Sequence, residues 1–396
     1  MIALLCACAA EPPATKDLTT TVDSAGVRIT TIAMAPGDVP RWTVDSVPAL
    51  TLESPDSTGF VYISAARWLG DGRLLVADAR QLGIYIYDAS GNHQRTLGRK
   101  GEGPGEFRNI MTVSVVHDTI GVWDLGERRF SVFTADSGFL RLLPTPTASS
   151  AYHVAREVWL VRGDHALTYW LRAPLLDPIP QGVRIRRWQH DADLMLSDGN
   201  GAVTGQSPTF KGIYSGQGQR GDARQAFSNA PFVAAAAGRI AYGSGETFEA
   251  HLTNGSLVPE RAVRWPMANE PLTEAEVTRT REALRLSMPP GAPPTRMEEA
   301  LSTIVAPELL PKVRPPVSRA VFGDAGELWL GRFEPPVRGL AESYDWVVLD
   351  ALGTPRGRVV LPEGTRLEAV RGNELLVSVR DSLDVQRVEV RKFVRR

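Results

Sequence analysis

Cysteine is almost absent. The chain holds two in 396 residues, Cys6 and Cys8, both within the first eight positions. The rest of the chain has no thiol, which excludes a disulfide framework, a cysteine nucleophile and a cysteine-ligated metal there. No apolar run approaches the ~20 residues of a membrane-spanning helix. Neither sign of charge is in excess. With 44 basic and 45 acidic residues the formal net charge is −1, and that balance gives no general drive toward nucleic acid or anionic lipid.

Several motifs with known chemistry are also missing. The loop Gly98-Arg-Lys-Gly-Glu-Gly-Pro-Gly105 lacks the Gly-Lys-Ser/Thr ending of a phosphate-binding loop. No helix start follows it, and Glu102 and Glu106 would repel an anion, so it reads as a turn between repeats. The six histidines, His93, His117, His153, His165, His190 and His251, show no His-x-His or His-x-x-x-His spacing and read as single surface residues. His190-Asp-Ala-Asp193 and Asp198-Gly-Asn200 gather oxygen ligands but do not follow EF-hand order, so they read as solvated turns. Gly243-Ser-Gly245 is flanked by Tyr242 and Glu246 and is not a nucleophile elbow.

Turns are abundant instead, with 36 Gly and 29 Pro. The first ten residues, Met1-Ile-Ala-Leu-Leu-Cys-Ala-Cys-Ala-Ala10, are apolar and give way to Glu11-Pro-Pro. They read as a signal remnant (residues 1–10). Leu5-Cys-Ala-Cys8 is similar to a bacterial lipobox, and Cys8 is the candidate lipid-attachment residue. The pattern departs from a complete signal in having no basic segment and too short an apolar run. Residues 11–20 have the composition of a flexible tether.

From residue 61 a grammar repeats: short apolar runs joined by turn residues. The clearest copy is residues 61–107, with Asp71-Gly72 and Ser90-Gly91 at its turns. Further copies cover residues 110–146, 151–210, 229–266, 315–361 and 365–396, the third loosened by an insertion at 174–180. Units of four short strands at about forty-residue intervals predict radial repetition around an axis. Such a ring must close, and a strand within residues 41–52 is the natural candidate to complete the last unit. Trp68, Trp123, Trp159, Trp188, Trp329 and Trp346 fall in or beside strands and read as core between units, one or two of them able to line a carbohydrate or peptide groove. The basic end, Arg391-Lys-Phe-Val-Arg-Arg396, reads as the close of a last strand.

Asp71-Gly-Arg-Leu-Leu-Val-Ala-Asp78, Ile86-Tyr-Asp88, Gly91 and the Gly98 to Phe107 loop carry a resemblance to the NHL-type six-bladed β-propellers. It is strongest in the first two units and weakest in the third, and it is nearest to bacterial lipoproteins known by that fold alone. The expected fold is all-β: a six-bladed β-propeller over residues 21–396. Residues 271–311 break the β pattern. Thr273-Glu-Ala-Glu276 has capping-box spacing, and Leu272 with Val277 could form a hydrophobic staple. A second box, Thr295-Arg-Met-Glu298, opens a helix with Met297, Leu301, Ile304 and Val305 on one face. This predicts an inserted helical hairpin that lies on its own propeller, with a partner-binding arm as the other reading.

The function expected from these features is a secreted, lipid-anchored scaffold of the cell envelope. It would bind a protein, peptide or glycan, with no cofactor, no nucleic acid, and membrane contact through the lipid anchor only. The alternative is a metal-dependent lactonase- or lyase-like enzyme. Gluconolactonase-like propellers hold a divalent cation through scattered Glu, Asn and Asp residues, and no such set can be placed here. The feature that separates the two readings is whether carboxylates from three or more units converge at the central channel.

Overall fold

The computed structural model describes residues 18–146, 153–172, 185–218, 221–229, 231–236, 238–253, 255–266, 270–287, 293–334, 344–381, 383 and 385–395. Cys6 and Cys8 and the insertion at 174–180 lie outside the described residues.

Six sheets, antiparallel but for one strand pair, stand around one axis. Their innermost strands are Ile63–Trp68, Ile110–Val116, His153–Arg162, Phe232–Ala236, Val317–Phe322 and Thr365–Arg371, and each packs on the innermost strands of the two sheets beside it. The chain is an all-β, six-bladed β-propeller carrying an inserted helical hairpin. Alternation alone does not explain strands such as Leu74–Asp78 and Gly83–Tyr87, in which every residue is buried. A blade has neighbours on both faces, so both sets of side chains face a core. Between blades one and two, Leu75, Ile84, Val113, Ile120 and Phe133 share one cluster, and burying each such side chain contributes about 1.5–3 kcal/mol.

The turns repeat with the strands. Asp88, Asp198, Asp350 and Asp381 each accept two backbone N–H bonds from the turn that follows, for example Asp88 Oδ1 from Ser90 and Asn92, both at 2.9 Å. Asp78, the last residue of the Val-Ala-Asp run, is fully buried and accepts from Val61, Tyr62, Arg80 and Gln81. These acids tie loops, which is why the repeat needs them.

Closure follows the expected route. Leu50–Leu52 pairs with Gln386–Val394, and Thr43–Val44 continues along the same strand. Blade six is thus built from both ends of the chain. Gln386 locks it to blade one, accepting from the Ile63 N–H at 2.9 Å and donating to the Val61 carbonyl at 3.0 Å.

Three expectations need correction. Thr19 and Thr20, expected to end the tether, instead open a strand, Thr19–Ser24: it hairpins with Val27–Ile32, which pairs in parallel with the outer strand of blade four. From there the chain runs over blade five, where the Trp42 N–H bonds the Arg358 carbonyl, and a Cβ on Gly357 would overlap the Trp42 indole. Blade three does not end at residue 210. Ile185–Ser197 is a 13-residue strand, and Phe210–Gly218 and Gly221–Arg224 follow it in the sheet. His190 to Asp193 therefore lie inside a strand rather than in a turn.

The third concerns the hairpin, α1 (Glu274–Ser287) and α2 (Pro294–Ile304). The first capping box forms as expected: the Thr273 N–H donates to Glu276 Oε2 at 2.9 Å and Thr273 Oγ1 accepts from the Glu276 N–H at 3.3 Å. The second does not. α2 begins at Pro294 with no side-chain cap, and Glu298 instead binds Arg281 and Arg285 of α1 at 2.7 and 2.8 Å. Two guanidiniums outcompete one backbone amide for a carboxylate. The hairpin lies on its own propeller: Leu272, Val277, Leu284 and Val305 pack with Ala226, Phe227 and Phe333. α2 also contacts the last two strands of blade three.

Candidate site on the propeller axis

Four of the six innermost strands carry charge: Arg67 in blade one, Arg156 and Glu157 in blade three, Arg319 in blade five, Arg366 and Glu368 in blade six. The inner strands of blades two and four carry none. Arg224, at the end of blade three's last strand, joins the group. Arg319 is within electrostatic reach of Glu157 in blade three and of Arg67 in blade one. Neither blade adjoins blade five in the ring, so these groups meet across the axis.

The charges fall into two sets. At the seam of blades six and one everything is paired. Arg366 Nε donates to Glu368 Oε1 at 2.5 Å and its NH2 to the Ile63 carbonyl at 2.7 Å. Ser378 Oγ donates to the same carboxylate at 2.8 Å, and Arg67 reaches Glu368 Oε2 at 3.4 Å and the Glu368 carbonyl at 3.0 Å. The side chains of Arg366 and Glu368 are only 7 % and 2 % exposed. Burial by itself would raise the Glu368 carboxyl. The fields of Arg366, Arg67 and Arg319 and the Ser378 bond outweigh it and hold the group below its ordinary value.

Toward blades three and five, no hydrogen bond or ion pair to the Arg156, Arg224 or Arg319 guanidinium or to the Glu157 carboxylate occurs among the described residues. Burial, together with Arg366 and Arg67 of like charge, brings Arg319 down to about 10, still fully protonated at neutral pH. Arg224 is lowered chiefly by burial too, yet its side chain is exposed to water. Glu157 is raised by burial, against the pull of Arg156, Arg319 and Arg224. The Tyr169 hydroxyl is raised beside them by burial and by Glu157.

The residues singled out in the sequence lie elsewhere. Glu106 fills the hollow of the glycine loop, where Oε2 accepts the Gly103 N–H and Oε1 the Arg99 Nε, both at 2.8 Å. Gly98 holds φ +73°, and a Cβ there would overlap the ring of the fully buried Phe107. The loop is a buttress between blades one and two. Asp193 pairs with Arg172 and Asp191 with Lys211. His93 bonds Thr96, His165 meets Asp164, His190 faces Ser215 and the Trp188 ring, and His251 meets Glu249. Burial and Arg156 lower His190 to about 4, so it is neutral at pH 7. His117 holds positive φ in a hairpin, and the His153 side chain lies outside the described residues. Ser244 caps its own turn by accepting the Glu246 N–H. Trp123, Trp329 and Trp346 are fully buried, while Trp68 lies under the Arg371 guanidinium. No group of three or more His, Cys, Asp or Glu able to hold a metal occurs among the described residues. None of their helices is long and apolar enough to cross a membrane.

The channel arginines carry no motif, but a signal was present. The innermost strand of a buried blade should be apolar, and units one, three, five and six each place arginine there.

Residues 43–160 match a family model described as a 6-bladed beta-propeller. No curated protein matches the chain by sequence. Solved structures share its architecture at low identity. A Bacteroides fragilis protein, provisionally described as exported, is 11 % identical over 93 % of this chain and 99 % of its own, with TM-score 0.49. A gluconolactonase of Xanthomonas campestris is 10 % identical over 91 % of this chain and 99 % of its own, with TM-score 0.42. A PQQ-bound aldose sugar dehydrogenase of Streptomyces coelicolor is 12 % identical over 90 % of this chain and all of its own, with TM-score 0.41.

Proposed function

We propose that this protein is a binding propeller of the NHL type, exported to the cell envelope and anchored there through Cys8. Its partner is an envelope protein, peptide or glycan that engages the mouth of the axial channel. The observation that carries this reading is the charge of the channel. A metal-dependent lactonase or lyase needs carboxylates converging from several blades. Here, among the described residues, two acids face five arginines. Glu368 is committed to Arg366, Arg67 and Ser378, and Glu157 stands in the field of Arg156, Arg319 and Arg224. That donor set does not fit a divalent cation, which the surrounding guanidiniums would repel.

Metal analysis of the purified protein, paired with a lactone-hydrolysis assay with and without chelator, tests this reading. The expected result is substoichiometric metal and no chelator-sensitive turnover. Stoichiometric calcium or zinc with turnover lost on chelation would favour the enzyme instead. Anchoring has its own test: Cys8→Ser should move the protein from the membrane to the soluble fraction, and equal fractionation of the two proteins would exclude the anchor.

A further inference from the structure

The binding reading leaves the ligand's chemistry open, and the unpaired half of the channel narrows it. Buried or enclosed guanidinium groups are normally matched by acceptors, because an unmatched charge out of bulk water is costly. Arg366 and Arg67 obey this rule at the seam of blades six and one. Among the described residues Arg156, Arg224 and Arg319 do not: Arg156 and Arg319 stand on innermost strands, and Arg224, at the end of blade three's last strand, lies within electrostatic reach of Arg156 and Glu157. The acids that act on them are Glu157 and, for Arg319, Glu368, which Arg366 and Arg67 already hold. Among the described residues, Arg67, Arg156, Arg224, Arg319 and Arg366 against Glu157 and Glu368 leave three positive charges in excess.

The excess has two poles. Arg156 and Arg224 belong to blade three and Arg319 to blade five. Between them stands blade four, whose inner strand, Phe232–Ala236, offers only apolar side chains. A guanidinium is a planar fork that suits a carboxylate in two parallel hydrogen bonds. A ligand with one acid group at each end would satisfy both poles and lay its apolar middle along the exposed part of this strand, whose half-buried Val233 and Ala235 pack toward blade three. A compact dianion such as sulfate would reach one pole well and the other poorly. The helical hairpin flanks the blade-three pole: the Ala226 N–H, two residues beyond Arg224, donates to the Ile304 carbonyl of α2.

We propose that Arg156, Arg224 and Arg319 form an anion-binding site on the propeller axis, and that its ligand is a small ionised dicarboxylic acid or a molecule ending in that group. The site rests on the binding reading above and assigns its ligand class.

Isothermal titration calorimetry of the purified protein at low ionic strength tests it, with succinate, sulfate and acetate as probes. Succinate should bind more tightly than either of the others. Arg319→Met and Arg156→Met should each weaken succinate about tenfold or more, the loss expected of one charge-assisted bond. Glu157→Gln should tighten it by removing the competing charge. Arg356→Met, which removes an exposed arginine at the blade-five rim, should leave affinity unchanged. These guanidiniums make no hydrogen bond or ion pair among the described residues, so circular dichroism should report an intact fold in the channel variants. Equal affinity for succinate in wild type, Arg319→Met and Arg156→Met would overturn the site. Tighter binding of sulfate than succinate would overturn the dicarboxylate assignment. No binding of any probe, in a protein that also lacks metal and turnover, would overturn the anion site while leaving the binding reading standing.

Discussion

Leu52 and Val388 are cross-strand partners in blade six, although one lies near the start of the chain and the other near its end. Leu52 is fully buried and packs with Leu376, Val76 and Tyr85 across the seam to blade one. The pair is where the ring shuts. Removing residues 1–54 should therefore expose the edge of Gln386–Val394 and the apolar faces beside it. A fall of roughly 10 °C or more in the thermal midpoint is expected, together with aggregation. An unchanged midpoint by calorimetry would mean that the ring holds without these strands.

Glu368 is the acceptor at the centre of the paired half of the channel. Glu368→Ala leaves Arg366 and Arg67 enclosed without their counter-charge. The expected cost is about 3–5 kcal/mol, the range for breaking one side of a buried pair. Because its carboxyl is held below the ordinary value, its contribution is present above that value and is lost as pH falls through the lowered one. Urea denaturation of wild type and variant at several pH values reads both effects. A cost below 1 kcal/mol at neutral pH would show that the network is not needed for stability.

Glu157 has the opposite sign. Its ordinary value is 4.5 and the fold raises it. At low pH the group is protonated in both states and costs nothing. As pH rises the unfolded chain ionises first, and folded-state stability declines until Glu157 ionises in place. Glu157→Gln should equal wild type at low pH and exceed it at neutral pH, with the gap opening from about 4.5 upward. Burial sets this rise, against the opposing pull of Arg156, Arg319 and Arg224. A variant less stable than wild type at pH 7 would show that Glu157 has a partner that matters.

Thr273 and Glu276 close the first turn of α1 on each other. Thr273→Ala should weaken the cap by about 1 kcal/mol. Hydrogen exchange should quicken in α1 and stay unchanged in the blades. Uniform loss of protection across the propeller would mean that the hairpin is integral to the ring rather than laid upon it.

Repetition made the fold legible. The turn acids Asp88 and Asp198, the closing strand and the first capping box all follow from local residue patterns, which the chain writes in consecutive positions. Two things defeated that reading. Blade three's long strand breaks the rhythm, so His190 to Asp193 looked like a turn. Glu298 fitted a capping box by spacing, and only the packing of α1 against α2 brought Arg281 and Arg285 to it. The axial site escaped for the same reason at larger scale. Arg67, Arg156, Arg319 and Arg366 are far apart in sequence and look alike as strand residues. Only closure of the ring sets them around one lumen.

The central claim is that the axis attracts anions and not divalent cations. Crystals soaked in parallel with bromide and with terbium, read by anomalous scattering, test it most directly. The account predicts a bromide peak in contact with the Arg319, Arg156 or Arg224 guanidinium and no terbium in the channel. Terbium bound to Glu157 or Glu368, with the channel free of bromide, would contradict it.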